Sequence, residues 1–135
     1  MPNYSGVWTI REQGVAEKGG IWQEYIDFSI RAVFAGGYSA SISNITDVMD
    51  YISINSTGNA TDFGDLTSAR VAARGASNTT RGCFMGGLET PGGNVNIIDF
   101  VTIGSTGNAS DFGDIIAAGR GGASASNGHG GLVGG

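Results

Sequence analysis

Two stretches of the chain alternate in polarity with a period of two residues. In Met49-Asp50-Tyr51-Ile52-Ser53-Ile54, positions 49, 51 and 53 fall on one face and 50, 52 and 54 on the other. Ile98-Asp99-Phe100-Val101-Thr102-Ile103 repeats the pattern. That period is the signature of a β-strand. Two short apolar runs, Ala32–Gly37 (AVFAGG) and Gly82–Gly87 (GCFMGG), end in paired glycines and read as strands with a built-in stop. Ala60–Thr67 (ATDFGDLT) and Ala109–Ile116 (ASDFGDII) suit a third strand, and the small-residue runs Ala69–Ser77 and Ala118–Ser126 a fourth. No apolar spacing of helical period of useful length occurs between Arg31 and Gly135. The pattern predicts an all-β chain.

These strands come in two copies. Ser56–Asp65 reads STGNATDFGD, and Ser105–Asp114 reads STGNASDFGD, with Ser110 in place of Thr61 at an offset of 49 residues. At the same offset Asp50 matches Asp99, Tyr51 matches Phe100, and Ser77-Asn78 matches Ser126-Asn127. Upstream the offset is 50, where Arg31–Gly37 (RAVFAGG) matches Arg81–Gly87 (RGCFMGG). One residue is therefore lost between. Such a slip is tolerated in a loop, whereas inside a strand it turns every side chain to the wrong face. Residues 38–48 and 88–97 are accordingly expected to be loops, and the units to span about 31–80 and 81–130.

A unit of about 50 residues with four short strands has the size of a propeller blade. The chain resembles the kelch repeat, with an apolar strand ending in Gly-Gly, a variable loop, then aromatic residues on the next two strands, a Leu and an Arg. In this sequence those are Gly36-Gly37, Tyr51, Phe63, Leu66 and Arg70, then Gly86-Gly87, Phe100, Phe112, Ile115 and Arg120. Phe stands where the usual Trp is expected, and Arg120 comes one residue late, so the likeness is to a divergent relative. It covers roughly residues 31–130. The phrases GNATDFGDL and RGCFMGG are also similar to Gly-rich, propeller-like repeats of structural proteins of tailed bacteriophages. The first 22 residues, with SGVW, look like a short leader of phage tail and virion proteins, and SNGHGGLVGG looks like a natural end. The resemblance implies two kelch-like four-stranded units completed by homo-oligomerisation, in a shared β-propeller or a trimeric β-prism. Two blades cannot close a ring, and stacked repeats need about three or more units for stability. Three chains would supply six blades.

Composition narrows the function. Of 135 residues 25 are Gly, without a Gly-X-Y period, so tight turns rather than collagen are expected. Charged residues make up only 14% and the net charge is -5, without a basic stripe, so nucleic acid is not an expected partner. The first residues lack the basic start and apolar run of a signal peptide, and no apolar run reaches the ~20 residues of a bilayer span. The lone Cys83 has no internal disulfide partner and reads as a buried apolar residue.

Residues 1–30 differ in character. They carry Trp8, Trp22 and Tyr25 among charges at Arg11, Glu12, Glu17 and Lys18. Aromatic anchors beside charges suit an attachment surface, and packing on the first repeat is the alternative. Thr9 and Gly19 can bound a short helix, against which Gly14 counts.

The repeated phrase offers oxygen ligands at Asn59, Asp62 and Asp65, and again at Asn108, Asp111 and Asp114. Calcium takes such ligands. Their spacing matches neither the EF-hand nor the nonapeptide calcium repeat, and turn chemistry explains them better. Phe63 and Phe112 are then expected to fill the joint between repeats and between chains. His129 is the only histidine, and no nucleophile–base set or metal cluster is visible, so neither catalysis nor a cofactor is expected. Arg31, Arg70, Arg81 and Arg120 are expected to pair with Asp50 or Asp99, or to stack on Tyr51 or Phe100.

The resulting expectation is a non-enzymatic virion structural protein, a tail, fibre, collar or decoration component. It would be made in the host cytoplasm, self-associate through its repeats and dock to other virion proteins through residues 1–30. The alternative is a recognition module for host-surface glycan, with its site in segments 38–48 and 88–97. Those segments hold one aromatic, Tyr38, where sugar binding favours stacking rings.

Overall fold

The structure, a computed structural model, describes residues 30–41 and 44–134. Residues 1–29, with Trp8, Trp22 and Tyr25, lie outside the described residues, so the expected attachment segment is described only at Ile30. Among the described residues there is no helix, and the chain is all-β.

Strands β1 (Arg31–Ser39), β2 (Asn44–Ser53) and β3 (Thr61–Asp65) form an antiparallel sheet in that order. Strands β4 (Arg74–Ser77), β5 (Arg81–Met85), β8 (Ile97–Thr102) and β9 (Ser110–Asp114) form a second, four-stranded antiparallel sheet. Between β5 and β8 a small hairpin pairs β6 (Leu88–Glu89) with β7 (Gly93–Asn94). The last pair is β10 (Ala123–Ser126) with β11 (Gly131–Gly134). Repeat equivalence aligns the three larger sheets. β1, β2 and β3 correspond to β5, β8 and β9, while β10 and β11 correspond to β4 and β5. The sheets are open, and the three- and four-stranded ones are each built around the pair of an apolar strand with an alternating strand, β1 with β2 and β5 with β8.

The small-residue runs do not close their own repeat. β4 pairs with β5, so it opens the second sheet rather than ending the first. The segment 38–48, expected as a loop, is largely strand. β1 runs to Ser39 and β2 begins at Asn44, with Tyr38 opposite Ile45. Aromatic and β-branched residues here (Tyr38, Ile45, Thr46, Val48) extend the hairpin past the glycines. In 88–97 the same place holds the β6–β7 hairpin. The slipped residue sits at these tips. Gly37 pairs with Thr46 across Tyr38–Ile45, while Val95 N–H donates to the Gly87 carbonyl across the one-residue-shorter Leu88–Asn94. Both repeats turn there at paired glycines with positive φ, 65° and 122° at Gly36 and Gly37, 64° and 116° at Gly86 and Gly87. Only Gly adopts such backbone freely.

The alternation assigned to β2 and β8 holds, but their partners carry a bulge. Met49 pairs with Gly64 and Asp50 with Asp62, leaving Phe63 as the extra residue of β3, and Phe112 is likewise the extra residue of β9 opposite Ile98-Asp99. A bulge re-aims the side chains that follow it. The core is small: Met49, Phe63, Leu66 and Val101 are buried, with Val33, Ala35, Tyr51, Phe84 and Ala109 packed around them. Residues of both sheets contribute, so the core is the seam between the two repeats.

Candidate functional site

The repeated phrase sits at that seam. β3 is the outer strand of the first sheet, and alone it would expose a row of backbone groups. The second copy's loop covers it. Gly107 N–H donates to the Phe63 carbonyl at 2.7 Å and Ala109 N–H to the Asp65 carbonyl at 2.8 Å. Asp65 N–H donates to Asn108 Oδ1 at 3.1 Å. The backbones approach so closely that a Cβ on Gly64 would lie 2.5 Å from the Gly107 carbonyl carbon and oxygen. Phe63 is sealed beneath the loop at 2% exposure and meets Tyr51 edge-to-face, ring centroids 5.9 Å apart.

A charged cluster locks the same seam. Asp99, from β8, is fully buried and accepts from three donors on two residues of the first repeat. Arg70 Nη2 lies 2.9 Å from its Oδ2, Thr67 N–H donates to Oδ2 at 3.0 Å, and Thr67 Oγ1 donates to Oδ1 at 2.6 Å. Arg70 is itself fully buried and also donates to the Ser68 hydroxyl and the Phe84 carbonyl. Charge-assisted hydrogen bonds of this kind offset the desolvation of a buried carboxylate. Arg31 stacks on Tyr51, 4.5 Å from the ring centroid, and Arg81 on Phe100 at 5.0 Å. Pairing and stacking of the arginines were thus both legible, but not that the Arg70–Asp99 pair crosses from one repeat to the other. Thr67 gave no signal, because its counterpart Ile116 has no hydroxyl.

The calcium candidates fall within this geometry. Asn108 Oδ1 serves β3, Asp111 Oδ1 accepts from Gly113 N–H at 3.1 Å, and Asp65 binds the neighbouring loop through its backbone. Asn59, Asp62 and Asp114 are exposed. Among the described residues no group of three or more His, Cys, Asp or Glu is placed to hold a metal ion. His129 is exposed, and its backbone N–H donates to Asn127 Oδ1.

The equivalent positions at the two ends are open. Phe112, counterpart of Phe63, is 56% exposed and touches Phe100 at 5.9 Å between centroids. Asp50, counterpart of Asp99, is exposed, and so are Arg120 and residues 55–60, counterparts of Arg70 and 104–109. Across the sheets, Phe34 is 57% and Tyr38 66% exposed.

Two results follow for single residues. Gly64→Ala is expected to destabilise the chain by about 1–3 kcal/mol in denaturant unfolding, because the new Cβ meets the Gly107 backbone at positive φ. Gly113→Ala shares the positive φ but has nothing within 4 Å of its Cβ, so its loss should be smaller, and the difference isolates the joint. Cys83 lines a cleft of about 350 Å³ with Arg31, Phe84 and Ile103. Burial pushes its thiol pKa up, and the nearby Arg81 only partly opposes this. Its alkylation by iodoacetamide at neutral pH should run slower than that of a free thiol such as glutathione, and a faster rate would contradict the burial.

No protein-family model matches the chain, and no curated protein matches it in sequence.

Proposed function

We propose that this chain is a non-enzymatic structural protein of a tailed-bacteriophage particle, a tail, fibre, collar or decoration component that self-associates through its kelch-like repeats. The observation that carries the reading is the seam itself. One copy of the repeat holds the next by backbone pairing, a sealed phenylalanine and a buried ion pair, and each end of the pair presents the unmatched half of that arrangement. Repeats of this kind bury surface only against neighbours, so open ends favour association over a free monomer. Three chains would bring six sheets into one closed propeller or β-prism, and cyclic closure is the usual outcome for identical subunits. Residues 1–30, with Trp8 and Trp22, are then left to dock on another virion protein. The likeness of the repeated phrases and the leader to phage virion proteins supports the setting.

The test is location. An antibody to the chain, used for gold labelling of purified particles from a phage that encodes it, should mark one defined part of the particle. Label confined to the soluble host fraction, with clean particles, would contradict the reading.

A further inference from the structure

Building on the self-association just proposed, we infer that copies join head to tail through one defined seam, a replica of the internal joint. The incoming copy's 56–60 loop docks on β9, and its β1–β2–β3 sheet adds to β10. Strand arithmetic supports this. The four-stranded sheet has the order β4-β5-β8-β9. Among the described residues the first sheet lacks the strand equivalent to β4, and β10 is such a strand at the other end. β10 plus β1–β2–β3 of a second copy makes four.

The contacts transfer position by position. At the internal seam Gly107 and Ala109 donate to the Phe63 and Asp65 carbonyls, and Asn108 accepts from Asp65 N–H. The loop that would repeat this, Gly58-Asn59-Ala60, is exposed and has the same sequence. The groups it would meet are the Phe112 carbonyl and the N–H and carbonyl of Asp114, on the outer side of β9. Phe112 would be sealed as Phe63 is. Asp50 of the incoming copy would take the place of Asp99, facing Arg120 and the Ile116 N–H. No arginine stands one repeat before Arg70, where the chain has Gly20 and Ile21, so the seam supplies what Asp50 lacks.

One strand must yield. The place beside β10 that the incoming β1 would occupy is held by β11. β11 is four residues, pairs only with β10 and leaves Leu132 82% exposed. β11 rests on β4 at Ala76 but is hydrogen-bonded along one short strand only, whereas β1 arrives already paired along β2. The surface is heterologous, so head and tail are different patches, and the association closes into a ring or runs on as a filament.

That asymmetry gives a test by native mass spectrometry of the full chain. Phe112→Glu spoils only the tail and Ala60→Asp only the head. Both residues are exposed in the single chain, and both replacements are acidic, so the altered patches cannot pair. Each variant alone should give single chains of about 13.7 kDa, and an equimolar mixture should give dimers capped at two chains. Variants that keep the wild-type mass would overturn this seam while leaving self-association through another surface intact. A mixture that stays monomeric would overturn the head-to-tail geometry, and a monomeric wild type would overturn self-association itself.

Two further variants do not depend on those substitutions being tolerated. Ile116→Thr restores the hydroxyl that Thr67 offers Asp99, and should lower the concentration for half-association roughly tenfold. Unchanged or weaker association would contradict the proposed place of Asp50. Removing residues 128–135 deletes β11 and should leave association equal or stronger, and its loss would overturn the strand exchange.

Discussion

Phe63→Ala is expected to cost about 3–5 kcal/mol of folding stability, enough to lower Tm by roughly 10 °C or more, whereas Phe112→Ala in the same chain at low concentration should cost under about 1.5 kcal/mol. The two residues occupy the same place in nearly identical ten-residue phrases. Only their neighbours differ. Phe63 is 2% exposed because residues 107–109 lie across its strand, and its removal leaves a cavity that two sheets cannot collapse to fill. Phe112 is 56% exposed and loses chiefly its edge-to-face contact with Phe100, which is worth about 0.5–1.5 kcal/mol. Thermal melts followed by circular dichroism, at a concentration where the chains are single, check the contrast. Equal losses at the two sites would mean that the seam is not where the fold's stability lies.

The second large effect concerns the buried pair. Asp99→Ala should destabilise by about 3–5 kcal/mol, because it strands the Arg70 guanidinium in a fully buried site with its charge unmatched. Asp50→Ala, at the equivalent exposed position, should change stability by less than about 0.5 kcal/mol. A double-mutant cycle with Arg70→Met sharpens the test. Removing both partners leaves no orphan charge, so the double variant should be more stable than Asp99→Ala alone. Urea unfolding at neutral pH reads all of these, and an additive cycle would show that the two side chains do not act as a pair.

Much of this arrangement was legible in the sequence. Polarity of period two placed β2 and β8, the Gly-Gly pairs placed the ends of the apolar strands, and the repeated phrase pointed to a joint. What period and propensity cannot reveal is which strand pairs with which. The small-residue run Arg74–Ser77 looks the same whether it ends one sheet or begins the next. Local chemistry also cannot tell Phe63 from Phe112 or Asp50 from Asp99, since burial is set by whether a neighbouring repeat is present. The bulges that make Phe63 and Phe112 the extra residues of β3 and β9 are not legible in the sequence, because a bulge changes the pairing of a strand and not its residue types. The tip at Tyr38–Ile45 read as a loop from the one-residue slip, yet a hairpin tip absorbs a slip as well as a loop does, and the pairing of Arg31–Ala35 with Met49–Ser53 matches that of Arg81–Met85 with Ile98–Thr102.

The central claim is that the seam between the two repeats is also the means by which chains join. Light scattering on a size-exclusion column, across a range of protein concentration, tests it most directly. The account predicts a mass of several chains of 13.7 kDa, three if the ring closes with six sheets. A folded species that keeps the mass of one chain at every concentration would contradict it.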